Sequence, residues 1–227
     1  MKKSMIQPGQ PVDEVFARRN VLKWGLGGAV ALAAFGGLLP NFGLSAAMAA
    51  DLGAGDVGIL NYAYALEQLE AAFYGKVLAT PYTGMTDDEK AILTDIHDHE
   101  IAHVAFLKTA LADKAIPDLE VDFSAVDFTS RDAVLKTAVT FEDLGVAAYN
   151  GAGKLLNNVD YLAAAGSIVS VEARHAATLR DLLQPGSVAF AGPEVVDEKG
   201  LDRACAPADV LKAAKPFIKT EVTAMSL

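Results

Sequence analysis

The stretch VEARHAATL, residues 171–179, places one acidic residue and one histidine in a run otherwise made mainly of Ala, Ile, Val and Leu. Glu172 and His175 are three positions apart, so on an α-helix they lie on one face. Ile168 and Leu179 fall on the same stripe, which predicts that the pair points into a helical core. One Glu-x-x-His pair alone indicates little, because exposed pairs at this spacing are common.

A second stretch, DHEIAHVAFL at residues 98–107, repeats the pattern. Its Glu100 and His103 lie 72 residues before Glu172 and His175, and they also share a stripe with apolar residues. The two pairs use two of only four histidines in the chain. This repetition favours a duplicated site over two unrelated surface contacts.

Two further acidic residues complete the repeat. EQLEAAFY begins at Glu67 and ends at Tyr74, and EDLGVAAY begins at Glu142 and ends at Tyr149. Seven residues is nearly two helical turns, so each glutamate shares a face with its tyrosine. The spacing of 75 residues between the two glutamates matches the spacing of the histidine pairs closely. The sequence therefore predicts a helical hairpin that has been duplicated.

Capping and turn residues predict where the helices begin and end. Thr86 and Glu89 form a capping-box pattern, and Ser130 can cap a third helix. Short turns join the first helix to the second and the third to the fourth, so each pair should form an antiparallel hairpin. The four predicted helices run from just after Asp56 to Ala79, from Asp87 to Ala112, from Arg131 to Leu155, and from the NNVD turn at Asn157–Asp160 to Leu183.

The link between the second and third helices, residues 113–130, has 18 residues and no helical period. Fully extended, it could reach ~60 Å, whereas a helix of about 25 residues is only ~37 Å long. The link can therefore cross back along the whole bundle. The sequence thus predicts an all-α, ferritin-like four-helix bundle with a long crossover between helices 2 and 3.

We divide the chain into three parts. Residues 1–49 are predicted to be an export signal peptide, residues 50–184 the bundle, and residues 185–227 an irregular tail that packs on the bundle. The tail holds one short predicted helix, Pro207–Ala214, which is followed by Pro216.

The first part resembles a twin-arginine export signal. ARRNVLK at residues 17–23 carries the paired Arg18 and Arg19, and AMA at residues 47–49 offers a cleavage site with small residues. The apolar run at residues 24–39 has 16 residues with five glycines, short of the ~20 that a membrane-spanning helix needs. Export and a periplasmic location are therefore expected, with no stable membrane span after cleavage. An uncleaved anchor is the alternative.

The net charge indicates which kinds of molecule the protein can bind, and the cysteine content shows whether it can form a disulfide. The net charge is −10, and it becomes −13 without residues 1–49, which hold five basic and two acidic residues. Nucleic acid is excluded as a partner by the lack of a basic patch, whereas cations are natural partners. Cys205 is the only cysteine, so an intrachain disulfide cannot form, and we expect a free thiol.

The repeated acidic residues and histidines should meet at one level in the core, since each glutamate lies near the midpoint of its helix. Four buried carboxylates would raise one another's pKa values and carry a large desolvation cost, which two divalent cations would offset. Oxygen and imidazole ligands suit iron or manganese better than copper or a thiolate-type zinc site. The predicted ligands are Glu67, Glu100, His103, Glu142, Glu172 and His175.

The phrases LEQLEAAFY, FEDLGVAAY and SVEARHAA resemble the ferritin-like di-metal carboxylate superfamily. The likeness is greatest to the exported ferritin-like domain family that includes desiccation- and stress-related proteins, and it covers roughly Asp56–Leu183. The resemblance implies that Glu100 and Glu172 bridge two Fe (or Mn) ions, and that each histidine binds one ion. It also implies that Glu67 and Glu142 are terminal ligands, and that Tyr74 and Tyr149 hydrogen-bond the carboxylates across the pseudo-twofold axis.

Several alternatives stay open at this level. Glu70 lies close to Glu67 on the helix and is an extra or alternative ligand candidate, although its counterpart in the repeat is Gly145. His97 is expected to be solvated, and His99 to be a satisfied histidine at the helix edge rather than a ligand. The two tyrosines could be plain core aromatics, and the whole cluster could be a metal-free polar network.

Three functions fit these residues. The first is a di-iron or di-manganese oxidoreductase that oxidises Fe(II), reduces peroxide or O2, or dismutates peroxide in stress protection. The second is an iron-storage subunit, which requires a homo-oligomer. The third is a non-catalytic stress-related bundle with a structural metal or no metal.

Overall fold

The computed structural model describes residues 49–224, and every structural statement below refers to that part of the chain. The predicted export signal, including Arg18 and Arg19, therefore lies outside the described residues except for Ala49.

Within the described chain, four long helices form the bundle, which confirms the predicted all-α fold. A short helix follows in the tail, and two residues near each end of the described chain pair as parallel strands. The helices are α1 (Gly55–Ala79), α2 (Asp87–Leu111), α3 (Arg131–Ala152), α4 (Val159–Leu183) and α5 (Pro207–Ala214), and the strands are β1 (Ala50–Asp51) and β2 (Val222–Thr223).

The helices α2 and α3 start where their capping residues predicted, whereas α1 starts at Gly55, slightly earlier than predicted. Thr86 and Glu89 form the full capping box at α2, with each side chain accepting from the other residue's backbone N–H. The Ser130 hydroxyl accepts from the backbone of Ala133 at α3. The helix α3 ends three residues earlier than predicted, because Gly153–Leu155 tightens into a 3₁₀ turn, as helix ends often do.

The helices α1 and α2 pack as one hairpin, α3 and α4 pack as the other, and α1 also contacts α3. The helix α1 is buried on most sides, which accounts for its nearly uniform apolar sequence. The link after α2 contributes aromatic side chains to the core. The resulting cluster of edge-on and tilted rings contains Phe73, Phe123, Phe128, Phe141 and Phe217.

The tail lies against the bundle and the link. The amide of Cys205 donates to the carbonyl of Ala147 in α3 at 2.9 Å, and Val210 on α5 is fully buried. The amide of Asp122 in the link donates to Phe217 in the tail at 2.8 Å. Within residues 49–224, none of the helices combines the length and apolar character needed to cross a membrane.

Gly151 permits the close contact between α3 and the tail, and we expect Gly151→Ala to destabilise the protein. A Cβ atom there would stand 1.7 Å from the carbonyl oxygen of Cys205, so the tail backbone has to move. Such overpacking typically costs about 1–3 kcal/mol. Urea unfolding measures the change in the free energy of unfolding.

Gly166→Ala is the matched control for this substitution. Gly166 is exposed on α4, and a Cβ atom there would meet nothing within 4 Å. Alanine should therefore stabilise the helix, by up to about 1 kcal/mol. Equal stability of the two variants would contradict the close approach of the tail.

Candidate metal centre

The structure brings the six predicted ligands together in the middle of the bundle. Each of the helices α1 and α3 supplies one glutamate, and each of α2 and α4 supplies a glutamate and a histidine one turn apart. The four glutamates are fully buried, and the His103 side chain, the most exposed of the six, is only 12% exposed. These residues are Glu67, Glu100, His103, Glu142, Glu172 and His175.

One half of the cluster is centred on His103. Its Nδ1 lies 3.2 Å from Oε2 of Glu67, 3.3 Å from Oε2 of Glu100 and 3.0 Å from Oε1 of Glu172. These four residues form one group of donor atoms close enough together to hold a single metal ion.

The other half is centred on His175 and mirrors the first. Its Nδ1 lies 3.2 Å from Oε2 of Glu142, 3.0 Å from Oε1 of Glu100 and 3.0 Å from Oε2 of Glu172. These residues form the second group of donor atoms that could hold an ion.

Glu100 and Glu172 belong to both halves. Each turns one carboxylate oxygen towards His103 and the other towards His175. Glu67 and Glu142 each contact only one of the two histidines. Two shared carboxylates, two unshared carboxylates and two imidazoles form a donor set for two neighbouring ions.

These contacts fit metal coordination better than hydrogen bonding. One imidazole N–H cannot serve three carboxylate oxygens that surround it at 3.0–3.3 Å. The donor atoms of each group instead all lie within 4.8 Å of one another, close enough to hold one ion. In addition, Oε1 of Glu100 and both oxygens of Glu172 are buried without a hydrogen-bond partner in the described chain. The residues present therefore fit a pair of metal ions.

Two tyrosines hold the unshared carboxylates. The hydroxyl of Tyr74 on α1 donates to Oε1 of Glu142 on α3, and the hydroxyl of Tyr149 on α3 donates to Oε1 of Glu67 on α1 at 2.5 Å. Burial, together with the adjacent carboxylates, raises the pKa of both phenols well above their ordinary value. Both groups therefore remain donors at neutral pH and orient the glutamates.

Burial also raises the pKa of two carboxyl groups in the cluster and of Glu70 beside it. The pKa values of Glu67 and Glu70 lie well above their ordinary value, because burial and neighbouring carboxylates disfavour the charged forms. The pKa of Glu142 rises to about 8 through burial, although the contact with His175 opposes the rise. Protons therefore compete with any cation for these oxygens.

The carboxylates of the cluster favour positive charge at the two imidazoles. Burial alone would lower the pKa of His103 and His175, but the surrounding carboxylates outweigh it and raise both values to about 12. Burial likewise disfavours ionised Glu100, yet its contacts with the two histidines bring its pKa down to about 2. The cluster is thus built around positive charge at the two Nδ1 positions.

Glu70 is buried beside the cluster but belongs to neither group of donor atoms. Its carboxyl group packs over Gly145 of α3, where a Cβ atom would lie 3.1 Å from its Oε1. The glycine in the second repeat therefore makes room for the glutamate of the first. The sequence showed that the two repeats differ at this position, with Glu70 in one and Gly145 in the other. The packing of the Glu70 carboxyl group over Gly145 is the physical reason for the difference.

The two remaining histidines occupy different environments. His97 was expected to be solvated, and its side chain is only partly so, being 25% exposed and packed over Gly75. His99 lies at the edge of the cluster and is bonded to the ring of His175. The repeat could not indicate this contact, because the counterpart of His99 on α4 is Val171.

A four-helix bundle with four buried glutamates and two histidines at its midpoint defines a ferritin-like protein whose cluster could hold metal ions. A family model of the ferritin-like domain matches residues 55–185. The chain therefore belongs to the ferritin-like domain family. No curated protein matches the chain.

Proposed function

We propose that the protein is a di-iron or di-manganese oxidoreductase that oxidises Fe(II) or reduces peroxide or O2. The observation that carries the proposal is the position of Glu100 and Glu172. Each turns one carboxylate oxygen towards His103 and the other towards His175. Shared carboxylates keep two ions close enough to act on one small molecule. Two iron or manganese ions held there would supply the electrons and the binding positions for O2 or peroxide.

The chain's own residues supply orientation and exclude water. Tyr74 and Tyr149 fix the unshared glutamates, and the surrounding core is apolar. A narrow apolar pocket between the helices reaches Leu107, Tyr149 and Ile168. Tyr149 lines this pocket and donates to Glu67, so the pocket ends beside the outer side of the His103 half of the cluster.

The test is turnover by the metal-loaded protein. Metal-depleted protein is loaded with Fe(II) without oxygen, and O2 or peroxide is then added. We expect the bound Fe(II) to oxidise faster than free Fe(II) in the same buffer. The manganese-loaded protein is assayed in parallel for peroxide decomposition. Glu172→Ala is the matched control, since it removes a shared carboxylate and should oxidise Fe(II) no faster than buffer.

Two results would overturn the oxidoreductase proposal. If two ions bind but neither Fe(II) oxidation nor peroxide decomposition exceeds the buffer rate, the metal has a structural role. If oxidised iron accumulates far beyond two ions per chain in a large assembly on size exclusion, the protein stores iron.

We further propose that the protein is exported by the twin-arginine route and acts in the periplasm in stress protection. This proposal is supported by Arg18, Arg19 and the small residues at 47–49. Replacing both arginines by lysine should leave the precursor in the cytoplasm on cell fractionation. An unchanged periplasmic fraction would contradict the proposed route.

A further inference from the structure

His175 has an outer partner on a neighbouring helix. Its Nε2 lies 2.9 Å from Nδ1 of His99 on α2. The two ring planes are only 9° apart and the ring centroids are 5.2 Å apart. That separation equals the nitrogen–nitrogen distance plus the two ring radii, so the rings meet edge to edge along one line. This is the geometry of an N–H···N hydrogen bond rather than of a face-to-face stack.

The positions of the protons follow from what each nitrogen faces. Nδ1 of His175 faces three carboxylate oxygens, where an ion would bind it, so its proton is carried on Nε2. The Nε2–H of His175 then donates to Nδ1 of His99. The second nitrogen of His99, Nε2, lies 3.9 Å from Oδ2 of the exposed Asp95. His99 is therefore an acceptor that fixes the tautomer and the orientation of the His175 ring.

His103 lacks this support. The residue on α4 that corresponds to His99 is Val171, whose side chain cannot accept a hydrogen bond. Among residues 49–224, the hydrogen bonds of His103 are made by Nδ1, to Glu67 and Glu100. The two halves of the cluster have equivalent donor atoms, but only the His175 half has an imidazole behind its histidine.

We propose that His99 is a positioning residue that makes the two metal positions unequal, so that the ion held by His175 and Glu142 binds more tightly. The inference rests on the proposed metal centre. A hydrogen-bond acceptor behind a ligating histidine holds the ring in place and increases its basicity, and its loss typically weakens metal binding about 10- to 100-fold. His99 applies this effect to one half of an otherwise symmetric site.

The test is a calorimetric titration of metal-depleted protein with Mn(II) alone, carried out without oxygen. The wild type should show two binding steps of different affinity. In His99→Phe the tighter step should weaken about 10- to 100-fold, while the other step is unchanged. His99→Gln should recover part of the loss, because its amide oxygen can accept the same hydrogen bond.

Removing each unshared glutamate in turn shows which binding step belongs to which half of the cluster. In a Glu67→Gln background the remaining step belongs to the His175 half, and adding His99→Phe should weaken it. In a Glu142→Gln background the remaining step belongs to the His103 half, and the same addition should have no effect. His97→Phe is the matched control, since it changes a histidine on the same helix that makes no contact with the six ligands, and both steps should persist.

The outcomes separate this inference from the metal centre itself. If the wild type binds two ions and His99→Phe leaves both steps unchanged, or weakens both equally, the positioning role is wrong and the metal centre stands. If the wild type binds no Mn(II), the metal centre is wrong and the inference falls with it. His99 is 44% exposed, so its replacement should leave the fold intact, and circular dichroism of each variant checks this.

Discussion

Glu172→Ala is expected to abolish binding of both metal ions, whereas Glu142→Ala should mainly remove one. Glu172 contacts His103 through Oε1 and His175 through Oε2, so its loss takes one donor atom from each half. Glu142 contacts only His175. We expect the affinity for each ion to fall more than about 100-fold in Glu172→Ala. Even the loss of a residue that only hydrogen-bonds to a ligand lowers metal affinity about 10- to 100-fold.

Metal analysis after gel filtration measures this difference. Glu89→Gln is the matched control, because Glu89 is also a buried glutamate but binds Arg131 and the start of α2 instead of the cluster. That variant should lose stability and keep both ions. A Glu172→Ala protein that still carries two ions would show that the shared carboxylate is not a ligand.

Removing the metal should lower the thermal stability, and more so at pH 8 than at pH 5. An ion present at 100 times its dissociation constant stabilises the folded state by about 2.7 kcal/mol, so two ions contribute about 5 kcal/mol. For a chain of this size, that corresponds to a fall in Tm of about 10 to 20 °C on chelation.

The pH dependence follows from the raised pKa values in the metal-free cluster. Burial raises the pKa of Glu142 from 4.5 to about 8, so the folded state holds a proton that the unfolded chain releases above pH 4.5. The free energy of unfolding of the metal-free protein therefore falls as the pH rises from about 4.5 to about 8. The two histidines act in the same direction above pH 6.5. Metal binding behaves oppositely, since protons compete less at higher pH.

Calorimetric melting with and without chelator, at pH 5 and pH 8, measures both effects. Re-adding Mn(II) should restore the Tm at pH 8. Glu172→Ala should melt at the same temperature with and without chelator. A wild-type Tm that does not respond to chelation at pH 8 would contradict the coupling between metal binding and folding.

The helices and their order could be predicted from the sequence because their signals are local. Capping at Thr86 and Ser130, and the absence of a helical period in residues 113–130, placed the ends of α2 and α3 within a few residues. The duplicated Glu-x-x-His and Glu-x6-Tyr patterns also placed six side chains at one level, since periodicity and helix midpoints depend on spacing alone.

Contacts that break the repeat could not be predicted in this way. The bond between His99 and His175 and the packing of Glu70 over Gly145 both depend on how two helices approach each other. The short parallel pairing of β1 with β2 joins residues about 170 positions apart, and two residues carry no strand pattern. Tertiary contacts of this kind leave no local signal in one sequence.

The most direct measurement is the anomalous diffraction of crystals of the wild-type protein loaded with Fe(II) or Mn(II). We predict two metal peaks per chain, one beside Nδ1 of His103 and one beside Nδ1 of His175, with Glu100 and Glu172 contacting both. A loaded protein with no metal at this cluster, or with a single ion bound by one histidine alone, would contradict the di-metal centre.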